Sequence, residues 1–133
     1  MVPNKKISIL LAEDDEDDAF FFKEIIKDLT NEMELTIVEN GVLAMQHLRS
    51  NIKVPDFIFL DLNMPMKDGI ECLKEIKNID SLKSVKTIIL STSSEDNQIQ
   101  QCYDLGADLY IVKPSKVNEL RKSLKNCLDK FKS

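Results

Sequence analysis

The amino-acid sequence predicts an α/β fold in which five parallel strands form a sheet covered by helices on both faces. Short apolar runs alternate along the chain with longer segments of helical periodicity, as in repeated strand–helix units. The 133 residues, 43% of them hydrophobic, suffice for one ordinary domain with a substantial core. No linker, repeat or low-complexity segment interrupts the alternation, so we expect a single domain over residues 1–133.

Five short segments have the apolar and β-branched composition of buried strands. They are ISILLA at 7–12, ELTIVE at 34–39, DFIFL at 56–60, KTIILS at 86–91 and DLYIV at 108–112. Each is long enough for a strand and too short for an ordinary helix, so we assign all five to the sheet.

The segments between the strands predict five helices. Apolar residues recur at helical spacing at Phe22, Ile25, Ile26 and Leu29, and again at Val42, Met45 and Leu48. Asn40 is the expected N-cap of the second helix. Further helices are expected at about 69–78, 95–105 and 115–131. Gly106 follows the fourth helix, at the position of a left-handed C-cap.

Composition and charge argue against several classes of protein. The formal net charge of -5 disfavours nucleic-acid binding, which normally begins with a basic surface. Cys72, Cys102 and Cys127 are odd in number and far apart, which disfavours a disulfide framework or a metal site and predicts reduced, structural thiols. No apolar run is long enough to cross a bilayer or to form a signal peptide. We therefore expect a cytoplasmic protein that binds neither nucleic acid nor membrane.

Six consecutive acids, Glu13 to Asp18, follow the first predicted strand. Two carboxylates held about 4 Å apart repel by up to roughly 4 kcal/mol at an effective dielectric of about 20, so water or a bound cation must offset this repulsion. Glu16, Asp17 and Asp18 fall in the first turn of a helix, where the helix dipole favours negative charge, and we interpret them as a solvated surface. Glu13 and Asp14 require another explanation.

Ligands of an open parallel sheet gather beyond the carboxyl ends of its strands. The residues there are Glu13, Asp14 and Asp15 after strand one, Asp61 after strand three, Ser91 and Thr92 after strand four, and Lys113 and Pro114 after strand five. This set suits phosphoryl chemistry with Mg²⁺, which takes one or two carboxylates together with phosphate oxygens and water. Asp61 is placed to attack phosphorus, with Lys113 as the neutralising cation. A Ser91 hydroxyl that donates to a phosphoryl oxygen is the candidate switch.

Four motifs at these strand ends together resemble the receiver domain of two-component response regulators. They are AEDD after strand one, DLNMPMKDG after strand three, STS after strand four and YIVKP at strand five. The resemblance extends over essentially the whole chain. It implies a flavodoxin-like, doubly wound sheet of strand order 2-1-3-4-5 and a stand-alone bacterial receiver without an output domain.

The resemblance also implies a role for each site residue. Asp61 would accept a phosphoryl group from a histidine kinase or a phosphotransfer protein. Mg²⁺ would be held by Asp14 directly, by Glu13 through water, by Asp61 and by the backbone carbonyl of Asn63. Ser91 matches the switch hydroxyl, Lys113 the phosphate-pairing lysine, and Tyr110 the aromatic residue that swings inward on activation. The peptide bond between Lys113 and Pro114 resembles a cis peptide of that family.

Two surfaces are expected to meet partners. Phe20 lies nearly opposite the apolar face of the first helix, and we hypothesise that it docks a kinase or a phosphotransfer helix. The surface of helix four, strand five and helix five, which carries Tyr110, is the expected output face toward a downstream protein. The same surface is a possible homodimer face, so a monomer and a homodimer both stay open. His47, the only histidine, is expected to have an ordinary surface or boundary role.

Three other interpretations compete with the receiver. An Asp-nucleophile phosphatase of the haloacid dehalogenase type needs a second acid two residues after the nucleophile, where Asn63 stands. A flavin-binding flavodoxin needs a phosphate cradle after strand one, where the acidic run would repel phosphate. A degenerate receiver would lack a required side chain, whereas each type is present here. The departures from the family pattern are Glu13, where an aspartate is usual, and Thr92, where many members carry alanine.

Overall fold

The computed structural model describes residues 6–50 and 53–131. Their five strands form one parallel sheet in the order β2-β1-β3-β4-β5, as the sequence predicts. The strands are β1 (Ile7–Ala12), β2 (Met33–Val38), β3 (Phe57–Leu60), β4 (Lys86–Ser91) and β5 (Leu109–Val112). β2 is displaced by one residue from its expected range, and β3 and β5 each begin one residue late.

Five α-helices occur at the expected places, four between successive strands and the fifth after β5. They are α1 (Glu16–Leu29), α2 (Gly41–Arg49), α3 (Gly69–Lys77), α4 (Asp96–Asp104) and α5 (Val117–Lys130), with a 3₁₀ turn at Asp80–Leu82. α5 begins two residues later than expected. No helix in the described part of the chain is long and apolar enough to cross a membrane.

Local side-chain chemistry explains where the helices begin and end. The Asn40 carboxamide accepts the Leu43 N–H at 2.9 Å, which confirms Asn40 as the N-cap of α2. Asp15 caps α1 in the same way by accepting the Asp18 N–H at 2.9 Å. Gly106 has φ +104 just after α4, as predicted for a left-handed C-cap. Each N-cap of this kind stabilises its helix by about 1 kcal/mol.

The sheet separates two apolar cores. On one face α2, α3 and α4 pack over residues such as Leu10 and Ile58, and on the other face α1 and α5 pack over residues such as Leu11 and Phe59. Phe22 of α1 meets Phe59 edge to face at a centroid distance of 5.0 Å. Because every central strand is buried on both faces, polar side chains with unmet bonding capacity gather at the strand ends.

The loop from β3 to α3 has a backbone feature that the sequence did not predict. Met66 has φ +71, and the Lys67 N–H donates to the Pro65 carbonyl oxygen at 2.8 Å. This is a γ-turn of the positive-φ type, the rarer and more strained form. Met66 is also 77% exposed. The loop therefore presents a large apolar side chain to solvent a few residues after Asp61.

Gly69 allows α3 to begin directly against the Asp61 backbone. A Cβ at Gly69 would lie 2.3 Å from the Asp61 carbonyl oxygen, closer than two such atoms can approach. The Gly69 N–H also donates to the Leu62 carbonyl at 3.1 Å. The strand end that carries Asp61 is thus fixed by the first residue of the next helix.

One expectation taken from the resemblance is wrong. The described residues contain no cis peptide bond, so Lys113 and Pro114 are joined by a trans bond. The trans form of a bond before proline is the lower in free energy, by about 0.5–1 kcal/mol.

The three cysteines are buried and unpaired, as expected. Burial raises the pKa of Cys72 and Cys127 to about 12, so both thiols stay protonated at neutral pH.

Candidate phosphoacceptor and metal site

Backbone hydrogen bonds continue past the strand ends and fix the residues of the site. The Glu13 N–H donates to Val38 at 2.9 Å, and the Asp61 N–H donates to Ala12 at 3.1 Å. The Lys113 N–H donates to the Ser91 carbonyl at 2.7 Å. Glu13, Asp61 and Lys113 therefore start from positions set by the sheet itself, and the structure brings these three predicted strand-end residues together.

The Lys113 ammonium group joins three carboxylates. Its Nζ lies 2.5 Å from Glu13 Oε1, 2.9 Å from Asp18 Oδ2 and 3.2 Å from Asp61 Oδ2. An ammonium group has three N–H donors, so these contacts account for all of them. The Lys113 side chain is only 11% exposed, which shields the contacts from water.

The expectation of a solvated surface is only partly right for Asp18, because its side chain is 44% exposed but pairs with Lys113. Glu16 and Asp17 are exposed as expected, but Asp18 reaches across to the end of β5. Helical spacing accounts for this contact: Asp18 precedes Phe22 by four residues and Ile25 by seven, so it lies on the side of α1 that packs on the sheet. Lys113 is its partner there.

The pKa values of Glu13 and Lys113 are both raised, because the buried site holds several carboxylates and a single ammonium group. The pKa of Glu13 is raised to about 8, chiefly by burial and also by the nearby Asp61, while Lys113 opposes the shift. Burial alone would lower the pKa of Lys113, but its hydrogen bonds to Glu13 and Asp18 and the charge of Asp61 outweigh this and raise it. Lys113 is therefore charged at neutral pH. A further cation next to Glu13 would stabilise its ionised form.

Glu13, Asp14 and Asp61 form a group that fits a metal ion. Each offers a carboxylate oxygen, and these three atoms lie within 4.8 Å of one another. Glu13 and Asp61 are buried, whereas Asp14 is exposed, so the group opens to water on the Asp14 side. Hard oxygen donors with room for water are the ligands that Mg²⁺ prefers, which fits the expected cofactor.

The two buried acids are held in similar turns. Asp61 Oδ1 accepts the Asn63 N–H, and Glu13 Oε2 accepts the Asp15 N–H, both at 3.2 Å. In each case the donor lies two residues later, where the chain leaves the strand. Asn63 thus contacts the site through its backbone, and its carbonyl as a metal ligand stays a prediction.

Ser91 and Tyr110, the expected switch residues, meet at Ser93. Ser91 is fully buried, and its Oγ accepts the Ser93 N–H at 3.2 Å. The Tyr110 hydroxyl donates to the Ser93 carbonyl at 2.8 Å, and the Tyr110 ring is packed inward. The backbone N–H of Tyr110 donates to the Tyr103 hydroxyl at 3.0 Å. Ser93 is the last residue of the STS motif but was given no role there, and no sequence signal identified Tyr103. Thr92, between the two serines, is exposed.

The expected docking residue Phe20 is exposed by 57%. Its ring meets that of Phe21 edge to face at 5.7 Å, while Phe22 is buried as predicted. Phe21 also lines a cavity of about 140 Å³ between α1 and α5, together with Pro114 and Val117. An apolar surface therefore adjoins the acidic site.

His47 is exposed on α2, in accordance with the surface role expected for it. It lies along a groove of about 720 Å³, and Glu13 and Asp14 line the same groove. None of the hydrogen bonds or ion pairs of the site involves it.

A single protein-family match covers all the residues of this site. The family described as "Response regulator receiver domain" matches residues 9–125, which include every site residue from Glu13 to Lys113. The response regulator Rcp1 of Synechocystis sp. is 36% identical over 119 residues, which cover 86% of this chain and 81% of Rcp1. The chemotaxis protein CheY of Bacillus subtilis is 31% identical over 116 residues, covering 85% of this chain and 93% of CheY.

Solved structures show the same likeness. The phosphorylated cyanobacterial phytochrome response regulator RcpA matches with a TM-score of 0.88 and 36% identity, covering 93% of this chain and 92% of RcpA. The Mn²⁺-bound form of Rcp1 matches with a TM-score of 0.85 and 34% identity, covering 94% of this chain and 93% of that one. Both likenesses extend over nearly the whole of each chain.

Proposed function

The chain belongs to the response regulator receiver domain family, and we propose that it is phosphorylated on Asp61 and signals by changing its contacts with a partner protein. The observation that carries the proposal is the convergence of Glu13, Asp61 and Lys113 on one rim, with Asp14 beside them. Receivers of this family obtain the phosphoryl group from a histidine kinase or a phosphotransfer protein, and we propose such a donor here.

The residues of the site divide the chemistry among them. An Asp61 oxygen attacks the phosphorus of a phosphohistidine, and the bond from phosphorus to the histidine nitrogen breaks. Lys113 donates to an oxygen of the transferred group and balances its negative charge. Glu13, Asp14, Asp61 and the Asn63 carbonyl would hold Mg²⁺, which supplies further neutralisation of the phosphoryl oxygens when bound. The Mn²⁺-bound form of Rcp1 and the phosphorylated RcpA support this assignment.

The signal would leave the site through Ser93. A Ser91 hydroxyl that moves toward a phosphoryl oxygen to donate to it would alter its contact with the Ser93 N–H. The Ser93 carbonyl accepts a hydrogen bond from the Tyr110 hydroxyl, so a shift of this loop alters the hydrogen bond that holds the Tyr110 ring in place. Tyr110 and the exposed Val112 belong to β5, within the output and possible dimer face of α4, β5 and α5.

Phe20 is proposed as a contact for the phosphodonor. It is exposed on the helix that carries the acidic run, and the Phe21 cavity lies beside it. Phe20→Ala should slow phosphotransfer from a cognate histidine kinase while leaving the reaction with a small phosphodonor unchanged. The two rates are compared by following phosphoprotein formation with each donor. Equal kinase-dependent rates for Phe20→Ala and wild type would contradict this role.

Intact-mass measurement tests the proposed function. The protein is incubated with Mg²⁺ and acetyl phosphate or phosphoramidate, with and without EDTA, beside Asp61→Asn. A single phosphoryl adduct that requires both Mg²⁺ and Asp61 is the expected result. If wild type forms no adduct when trapped quickly, and binds no beryllofluoride, the site is degenerate and the protein acts by phosphate-independent binding.

A further inference from the structure

The third carboxylate on Lys113 has a different origin from the other two. Glu13 and Asp61 follow strands and belong to the group that fits a metal ion. Asp18 lies on α1, outside that group, and its oxygen approaches Lys113 Nζ at 2.9 Å from a position 95 residues earlier in the chain. This contact is therefore available to Lys113 whatever Glu13 and Asp61 bind.

Asp18 is itself held firmly at its backbone. It lies in the first turn of α1, and its N–H donates to the N-cap carboxylate of Asp15 at 2.9 Å. Four residues later Phe22 is buried against Phe59 of the sheet. The carboxylate of Asp18 thus projects from a turn whose position is fixed from both sides.

We propose that Asp18 is a positioning residue that anchors the Lys113 ammonium group and so sets the affinity of the site for a phosphoryl group. The inference rests on the proposed function. A lysine side chain is a flexible stem with a compact charge at its end, and a donor fixed before the phosphoryl group arrives binds it better than a mobile one. Glu13 and Asp18 fix the charge, and the third N–H stays directed at Asp61.

The three N–H donors of Lys113 allow Asp18 to anchor the ammonium group without competing with a phosphoryl group for it. A phosphoryl oxygen on Asp61 replaces Asp61 Oδ2 as the acceptor of one N–H, so Asp18 need not release Lys113. The Asp18 side chain is 44% exposed, so water screens its repulsion of the phosphoryl group. Its hydrogen bond to Lys113 is weakened less, because the Lys113 side chain is only 11% exposed. Anchoring therefore outweighs repulsion.

Beryllofluoride binding tests this balance directly. The affinity for beryllium fluoride in the presence of Mg²⁺ is measured from amide chemical shifts for wild type, Asp18→Asn, Asp18→Ala and Asp17→Asn. Asp17 is the matched control because it is exposed, stands in the same turn and carries the same charge. We expect Asp18→Ala to bind at least about fivefold more weakly than wild type, with Asp18→Asn between them and Asp17→Asn close to wild type.

The result that overturns the proposal is affinity for beryllofluoride that is unchanged or higher in Asp18→Ala, or equally reduced in Asp17→Asn. Thermal unfolding of each variant identifies any loss that comes from failure to fold. The isosteric Asp18→Asn keeps the size of the side chain, so its partial effect still decides the question should Asp18→Ala unfold.

A second measurement separates this inference from the proposed function. The Lys113 ammonium signal is recorded by nitrogen-15 NMR in metal-free protein and assigned with Lys113→Arg. We expect Asp18→Asn to shift it and to speed its proton exchange with water, and Asp17→Asn to leave it unchanged. An unchanged signal in Asp18→Asn overturns the anchor whether or not the protein is phosphorylated. Wild type that binds no beryllofluoride overturns the proposed function instead.

Discussion

Acidic side chains at the two ends of the sheet have different partners. At the amino ends of the strands, Asp56 accepts the Ser8 N–H and Asp108 accepts the Thr87 N–H, both at 2.8 Å. At the carboxyl ends, Glu13 and Asp61 lie against each other and against Lys113. Asp56 and Asp108 thus hold neighbouring strands together. Glu13 and Asp61 instead share one ammonium group, which does not balance both of their negative charges.

The direction of the strands explains this difference. Parallel strands expose unpaired N–H groups at their amino ends and carbonyl groups at their carboxyl ends. A carboxylate accepts from the former and is repelled by the latter. The first turns of α1 and α3 do offer N–H groups near the carboxyl ends, but Asp15 and Asp68 already accept from them as N-caps. Glu13 and Asp61 each accept one N–H from the loop after the strand, and for positive charge they depend on Lys113 and on any cation bound beside it.

Asp61→Asn is the variant with the largest expected effect on function. It should abolish the phosphoryl adduct completely, because an amide is not a nucleophile toward phosphorus at neutral pH. It should not lower the free energy of unfolding by more than about 0.5 kcal/mol, because it removes one of two buried carboxylates that repel each other. Intact mass and urea unfolding measure the two quantities. An adduct that persists in Asp61→Asn would place the acceptor elsewhere.

Lys113→Met should have the largest effect on stability. It leaves Glu13 and Asp61 buried without their cation, and breaking a buried pair in this way costs about 3 kcal/mol. Urea unfolding in EDTA measures the loss, and added Mg²⁺ should restore part of it. The control is Lys125→Met, whose exposed pair with Asp129 contributes less than about 1 kcal/mol. Equal stability of the two variants would show that the carboxyl end of the sheet is not short of positive charge.

Asp108→Ala tests the amino end of the sheet. It leaves the Thr87 N–H without its acceptor and removes the carboxylate 3.8 Å from Lys77, so we expect a loss of about 1–2 kcal/mol in the free energy of unfolding. Phosphorylation by acetyl phosphate should be unchanged. Asp80→Ala, at an exposed acid, should change stability by less than about 0.5 kcal/mol. A lost adduct in Asp108→Ala would show that the two ends of the sheet are not independent.

Thr87→Val should have the smallest effect on the free energy of unfolding, and the change should stabilise the protein. In the described part of the chain, the Thr87 hydroxyl oxygen is a buried side-chain atom with no hydrogen-bond partner. Valine has nearly the same shape without this polar group, so we expect the free energy of unfolding, measured by calorimetry, to rise by about 1 kcal/mol. Thr36→Val in the half-buried β2 is the control and should be neutral. A loss of stability in Thr87→Val would indicate that the hydroxyl is hydrogen-bonded after all.

Four of the candidate site residues that sequence reasoning selected share a simple property: each ends an apolar strand or directly follows one. Glu13, Asp61, Ser91 and Lys113 all lie where a buried run ends, and parallel strands bring such ends together. Ser93 and Met66 were missed because their roles depend on a loop conformation that composition does not encode. Asp18 was missed although helical spacing placed it on the side of α1 that packs on the sheet.

The sequence alone determined the alternation of strands and helices, the cores on both faces of the sheet, and the polar residues at the strand ends. These features follow from local periodicity and from the burial of apolar side chains, which each segment carries in itself. The contact of Asp18 with Lys113, and those of Ser91 and Tyr110 with Ser93, follow from tertiary packing and not from local sequence. Those contacts join residues distant in the chain, and their distances depend on how α1, β4 and β5 pack together.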